Sequence, residues 1–357
     1  MITGTKAAQK RLTSPQFLDG SLGPICLALL AFAGPLKASP LLSWMPFDLT
    51  LTLALVTGLA AVASRMSRGP ARGAILVPVG LLVLFLLGLV NNSIVGYSLS
   101  KTLALYTLTL LAMLAPFYLV RTPKQRRQFL GTFVVLACVV TAATVVSPGS
   151  VDEYTSIATL AGTNTISTGR MISTGVVIVL IFAIGSRTSM LNRALLFALG
   201  GALLLSTLNT GSRGPFLAIG AAVFGVLITA PMFRKYRKRA LAAMLALAAI
   251  GLYFALREGG DGAARVFTLL NGEADNSVRV RTYLLSQAFE QISANPFGLG
   301  WGNFIDVPGL WRYTNGDRLY PHNVLVEVTL EAGWLAGIAV LAFVVSALIV
   351  AKRHAID

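Results

Sequence analysis

VLVEVTLEAGWLAGIAVLAFVVSALIV, residues 324–350, carries two acids near its start and no other charge. A helix of about 20 apolar residues crosses the hydrocarbon core of a bilayer, so this stretch alone is long enough to span one. Runs of the same character recur upstream, at 22–36, 48–64, 74–90, 102–120, 129–146, 171–186, 194–209, 214–230 and 240–256. The spacing predicts an all-α, polytopic transmembrane bundle of about ten helices. Short loops separate most runs, and one membrane domain covering residues 1–357 is the simplest organisation.

Composition agrees. Apolar residues make up 55% of the chain and charged residues only 12%, a balance that a soluble domain cannot hide from water. The net charge of +15 raises the question of nucleic acid. Its distribution answers it, because the basic residues fall in every second loop. Lys6, Lys10 and Arg11 come first, then Arg65, Arg68 and Arg72. Arg121 to Arg127, Arg187 with Arg193, Arg234 to Arg239, and Lys352 with Arg353 follow. By the positive-inside rule both termini are expected in the cytoplasm, with the charge serving topology and no nucleic-acid partner implied. Cys26 and Cys138 lie inside apolar runs and read as small core residues. The N-terminus has the look of a signal peptide, ending in LKAS. Cleavage there would leave an odd number of spans, so a retained first helix is expected.

The first five runs carry no clustered chemistry and read as scaffold, with Gly34-Pro35 expected to end or kink the first. The polar stretch 147–170, with Asp152, Glu153, Asn164 and Arg170, reads as an ordinary solvated loop. Runs seven and eight are joined by LNTGSRGPF, residues 208–216, which holds Arg213 at the outer membrane boundary. An arginine there is either a snorkelling anchor or a functional cation. Its place on the side that the bias depletes, between Gly211 and Gly214, favours function.

A long outer loop, about 257–322, follows. Within it Val280, Leu284, Leu285, Ala288, Phe289 and Ile292 recur at helical spacing. Asn276 or Ser277 can cap this amphipathic helix and Asn295-Pro296 ends it. Arg281 then lies in its first turn, where a cation opposes the helix dipole unless an anion is near. Free N–H groups and a guanidinium together suit phosphate; Arg279 faces elsewhere. GLGWGN, 298–303, lacks the GK[ST] and the strand-to-helix setting of a phosphate loop, and tight turning at the membrane surface accounts for it. Trp301, Phe304, Trp311, Tyr313 and Tyr320 suit either sugar stacking or an interfacial aromatic belt. Tyr320-Pro321-His322-Asn323 stands where the chain re-enters the membrane. The neutral ring of His322 can take up a proton near neutral pH. Asn323, Glu327 and Glu331 share one helix face, free to meet His322 or Arg213 or to pair within the bundle.

Two arginines and a histidine on one side of a membrane, with no D-x-D pair or His/Cys cluster beside them, suit displacement of a pyrophosphate leaving group. His322 is the available base, and no metal or cofactor is implied. TGSRG (210–214), the run from Arg281 through NPFGLGWGNF (295–304) and PHNVLVEVTLEAGWLAG (321–337) resemble the signature of the bacterial O-antigen ligase and Wzy-type polymerase superfamily, over about residues 205–345. The resemblance implies an enzyme of the bacterial inner membrane that moves glycan, without metal, from an undecaprenyl-pyrophosphate carrier to an acceptor hydroxyl at the periplasmic face. Arg213 and Arg281 would then bind the pyrophosphate and His322 would activate the acceptor, with Arg279, Asn323, Glu327 and Tyr320 as substrate-binding neighbours. Its partners would be the lipid-linked donor, a lipid A core or glycan acceptor, and membrane lipids. Ligase and polymerase differ only in acceptor, and ligase-type transfer is the expectation. A solute transporter of two inverted halves is the remote alternative, disfavoured because the polar groups lie in loops rather than at the midplane. The chain is shorter than the usual family member.

Overall fold

A computed structural model describes residues 22–39, 42–68, 76–146, 160, 163–185, 189–229, 276–310 and 320–354. The expected run at 240–256 and the loop up to 275 lie outside these residues, as do Trp311 and Tyr313. The described elements are helices. Among them Gly96–Leu119, Pro123–Val146, Thr165–Ile184, Met190–Asn209 and Val324–Val350 are long and apolar enough to cross a membrane, and Leu49–Ser64, Pro78–Leu89 and Gly214–Val226 are shorter apolar helices. Their outward faces are apolar too: Leu51, Leu55, Leu59 and Val62 are exposed at helical spacing, and so are Leu335, Ile338, Leu341 and Val345. Surfaces of this kind belong in lipid. The chain is an all-α, multi-pass helical protein, and it divides into two compact units.

The first unit holds α1 (Gly23–Leu30), α2 (Ala33–Ala38) and most of α3 (Leu49–Arg68), then α6 (Pro123–Val146), α7 (Thr165–Gly185), α8 (Met190–Asn209) and α9 (Arg213–Thr229). The first apolar run breaks at Ala31 and Phe32, one turn before Pro35. A proline ring clashes with the carbonyl four residues back, here Ala31, and has no N–H to give it. Lys37 and Asp48 pair across the following turn, and the Asp48 carboxylate also accepts from the Leu51 N–H at 3.1 Å. Chiefly through its hydrogen bond to the Lys37 ammonium, Asp48 is held below the usual carboxylate range. Whatever the pair contributes is therefore present at neutral pH and lost on acidification. Thr122 and Gln125 form a reciprocal capping box at the start of α6, with N···O distances of 3.0 and 3.2 Å and Pro123 at the first helical position.

The core of this unit is Val140, Met171, Ile172, Val176, Val179, Leu203 and Ile219. Small residues let the backbones approach. A side chain at Gly175 would overlap Ala137, and one at Gly169 would stand 2.9 Å from Pro215. The stretch 147–170 is only partly the loop expected: Asn164 accepts from the Ser167 N–H at 2.8 Å and α7 begins at Thr165, so Arg170 is helical. Polar residues extend the helix beyond its apolar run, which is why hydropathy alone misplaces its start.

The second unit comprises α4 (Leu76–Phe85, tightening to a 3₁₀ turn at Leu86–Leu89), α5 (Gly96–Leu119, all but its last residue), α10 (Asn276–Ala294) and α11 (Val324–His354). Within α11, Gly333 has φ 85° and ψ 174°, which divides the helix at the ninth residue after Val324. The freed backbone groups have partners in the glycine-rich loop. Trp334 N–H donates to Pro296 O at 3.0 Å, while Leu299 N–H donates to Leu330 O at 2.8 Å and Gly300 N–H to Glu331 O at 3.0 Å. A broken helix at membrane depth needs such partners. Gly298, Gly300 and Gly302 all have positive φ, so the loop turns tightly enough to bring its N–H groups against the break. The N–H groups of Gly298, Leu299, Gly300, Trp301 and Asn303 are all engaged by protein carbonyls, which leaves them unable to cradle a phosphate.

Trp301 anchors the loop. It is 3% exposed, its backbone N–H reaches Gly88 O at 3.0 Å, and its indole N–H reaches Phe85 O at 3.0 Å. Neither sugar stacking nor an interfacial belt describes it, nor Phe304, which is also buried. The last carbonyl of the helical part of α4, Phe85 O, draws the indole inward, and the 3₁₀ turn holds the backbone through Gly88 O. Trp301→Ala should lower stability by about 3–5 kcal/mol. Trp301→Phe, which loses the indole hydrogen bond and part of the buried ring but keeps an aromatic side chain, should cost less, about 1–3 kcal/mol. Thermal unfolding in detergent checks both; equal melting of the alanine variant and wild type would remove the anchor.

Candidate functional site

In the second unit α10 presents Leu284, Ala288 and Ile292 to Val326 and Leu330 of α11. The loop after α10 is bonded to residues 330–334, so the C-terminal ends of α10 and of the 324–332 half-helix lie together. Their N-terminal ends, bearing Arg281 and His322, accordingly point the same way. Arg279 and Arg281 are both exposed, and neither has an ion-pair partner among the described residues.

His322 has φ 55°, a left-handed backbone that few non-glycine residues adopt. The turn leaves its ring exposed and 4.1 Å from that of Tyr320, at an interplanar angle of 43°. It also sets Asn323 as a helix cap, with Oδ1 accepting from Leu325 N–H at 3.0 Å and Val326 N–H at 3.2 Å. Strained backbone concentrates where a side chain must be aimed. Asn323, expected among the substrate-binding residues, has its carbonyl oxygen committed to that cap.

The face shared by Glu327 and Glu331 is engaged within the second unit. It meets Lys101 of α5, whose Nζ stands 2.5 Å from Glu327 Oε1, 2.8 Å from Glu331 Oε1 and 2.7 Å from Glu331 Oε2. Glu331 is 1% exposed. Lys101 was absent from the sequence-based candidates. The hint in the sequence is a lone lysine at the edge of the apolar run 102–120, where a cation normally needs a partner.

Arg213 is the first residue of α9, in the first unit. The turn before it is ordered: Gly211 has φ 62°, Thr210 Oγ1 donates to Thr207 O at 2.7 Å, and the Ser212 N–H donates to Thr210 Oγ1 at 3.4 Å. Gly211 is thus a turn residue that ends α8. The structure brings Arg281, Tyr320, His322 and Asn323 to one end of the second unit and sets Arg213 at a helix start in the other. A cavity of about 270 Å³ beside the break, walled by Leu87, Phe297, Trp334 and Leu335 among others, is apolar, and none of the candidate residues lines it.

No curated protein and no solved structure matches the chain. Residues 198–341, which include Arg213, Arg281, His322 and the break, match the family model described as O-antigen ligase, which supports the resemblance to the O-antigen ligase and Wzy-type superfamily.

Proposed function

We propose that this protein is a ligase-type glycan transferase of the bacterial inner membrane, working at the periplasmic face with both termini in the cytoplasm and both units in one membrane domain. The donor is a glycan on undecaprenyl pyrophosphate and the acceptor a hydroxyl of the lipid A core. The observation that carries the reading is the aimed, exposed His322 at the same end of its unit as Arg281, inside the segment that matches the O-antigen ligase family. Family description favours the lipid A core over a second carrier-linked glycan as acceptor.

The acceptor O–H attacks the anomeric carbon. Its proton passes to an imidazole nitrogen of His322, and the bond from the anomeric carbon to the phosphate oxygen breaks. Undecaprenyl pyrophosphate leaves with the electron pair, and Arg213 and Arg281 offset the charge that develops on it. Arg279 and Tyr320 line the approach, with Glu327 beside them.

Complementation of a ligase-deficient strain tests this. Arg213→Ala and Arg281→Ala, expressed at wild-type levels, should each lower surface polysaccharide by about 10²-fold or more, with long chains accumulating on the carrier. Accumulation of single repeat units would identify a polymerase. Normal polysaccharide from both variants would remove the pyrophosphate site.

A further inference from the structure

Gly333 has a consequence for His322. A continuous helix would tie the start of α11 to the rest of the span through its hydrogen-bond ladder. The break removes that connection, because Trp334 N–H and the carbonyls of Leu330 and Glu331 all bond to the glycine loop instead. Residues 324–332 are therefore a short half-helix, held at its C-terminal end by the glycine loop and placed along the rest of its length by side-chain contacts. Its inner face is apolar, through Val326 and Leu330, and apolar contact is non-directional. The directional side-chain contacts are those of Lys101 with Glu327 and Glu331, one turn apart on the half-helix. The Lys101 and Glu327 side chains are only 18% and 21% exposed and Glu331 is 1% exposed, so salt and water screen the triad little.

We propose that Lys101 is a positioning residue for His322: its ammonium, reaching from α5 to two carboxylates of the half-helix, fixes where the imidazole stands. Lys101 lies outside the matched segment, so an N-terminal helix of the chain sets the geometry of the C-terminal site. Without the ammonium, Glu327 and Glu331 face each other across one helical turn with no cation between them, and like charges at that spacing repel. The half-helix then shifts, and a displacement of about 1 Å at a reacting group is enough to lower a rate about 10²-fold. The proposal rests on His322 as the base.

The chain has two histidines, so in a His354→Gln background the imidazole of His322 gives one magnetic resonance signal from histidine-labelled full-length protein. Lys101→Met should move or broaden that signal. It should also lower kcat about 10²-fold with KM little changed, using carrier-linked glycan extracted from cells that lack this protein. Lys101→Arg, which keeps the cation, should restore both. A signal and a kcat that do not change in Lys101→Met overturn the proposal. If that variant fails to fold, Glu327→Gln is read in the same way. Full activity of His322→Ala would sink the general-base reading alone, since the imidazole signal reports position whether or not the ring is used.

Discussion

His322→Ala should lower glycan transfer about 10²- to 10⁴-fold, the range that a general base contributes, while the protein still accumulates in the membrane. The two parts of this expectation have separate causes. The imidazole is exposed, so its removal leaves no cavity in the core. The cap of α11 comes from the Asn323 side chain rather than from His322, so the helix keeps its start. Activity and folding should therefore separate cleanly in this variant. Western blotting of membranes, together with the length distribution of surface polysaccharide, reads both. Polysaccharide at wild-type amount would show that some other group takes the acceptor proton.

The same end of the molecule shows what a sequence can and cannot convey. The bounds of α10 were legible, because an amphipathic period between Asn276 and Asn295-Pro296 leaves little freedom. So were the apolar spans among the described residues, which hydropathy reports directly. The pairing of Lys101 with Glu331 was not, since 230 positions separate them and no local period connects the two. The break at Gly333 was hidden for a different reason. Glycine inside an apolar run is as often a close-packing residue as a hinge, and only the partners of the freed carbonyls tell these apart. Trp301 was ambiguous because its neighbours were all turn residues, and the carbonyls that bury it lie in α4. The convergence of Arg213 with Arg281 and His322 remains a chemical argument from the pyrophosphate leaving group, and the complementation assay addresses it.

Gly333→Ala should be strongly damaging although it adds a single methyl group. With φ 85° and ψ 174° the position lies in a region that is essentially glycine-only, and a side chain there costs about 1–3 kcal/mol in backbone strain alone. Space is also lacking. A Cβ would stand 2.7 Å from Pro296 O and 2.8 Å from Phe297 C, and both are backbone atoms that cannot swing aside. The helix can escape only by straightening. That withdraws Leu330 O, Glu331 O and Trp334 N–H from the glycine loop and strands the loop groups that they bond, at about 1 kcal/mol or more for each. Gly298→Ala meets the same obstacle from the other side, with Glu331 O at 2.5 Å. Gly201→Ala is the control: a helical glycine with nothing within 4 Å, where alanine should be neutral or slightly stabilising. Melting temperatures of the detergent-purified variants decide the matter. Two deep losses beside one unchanged value locate the constraint in the contact between loop and half-helix. Wild-type melting of Gly333→Ala would mean that the last span is one unbroken helix, and the directional hold on His322 would then have to come from elsewhere.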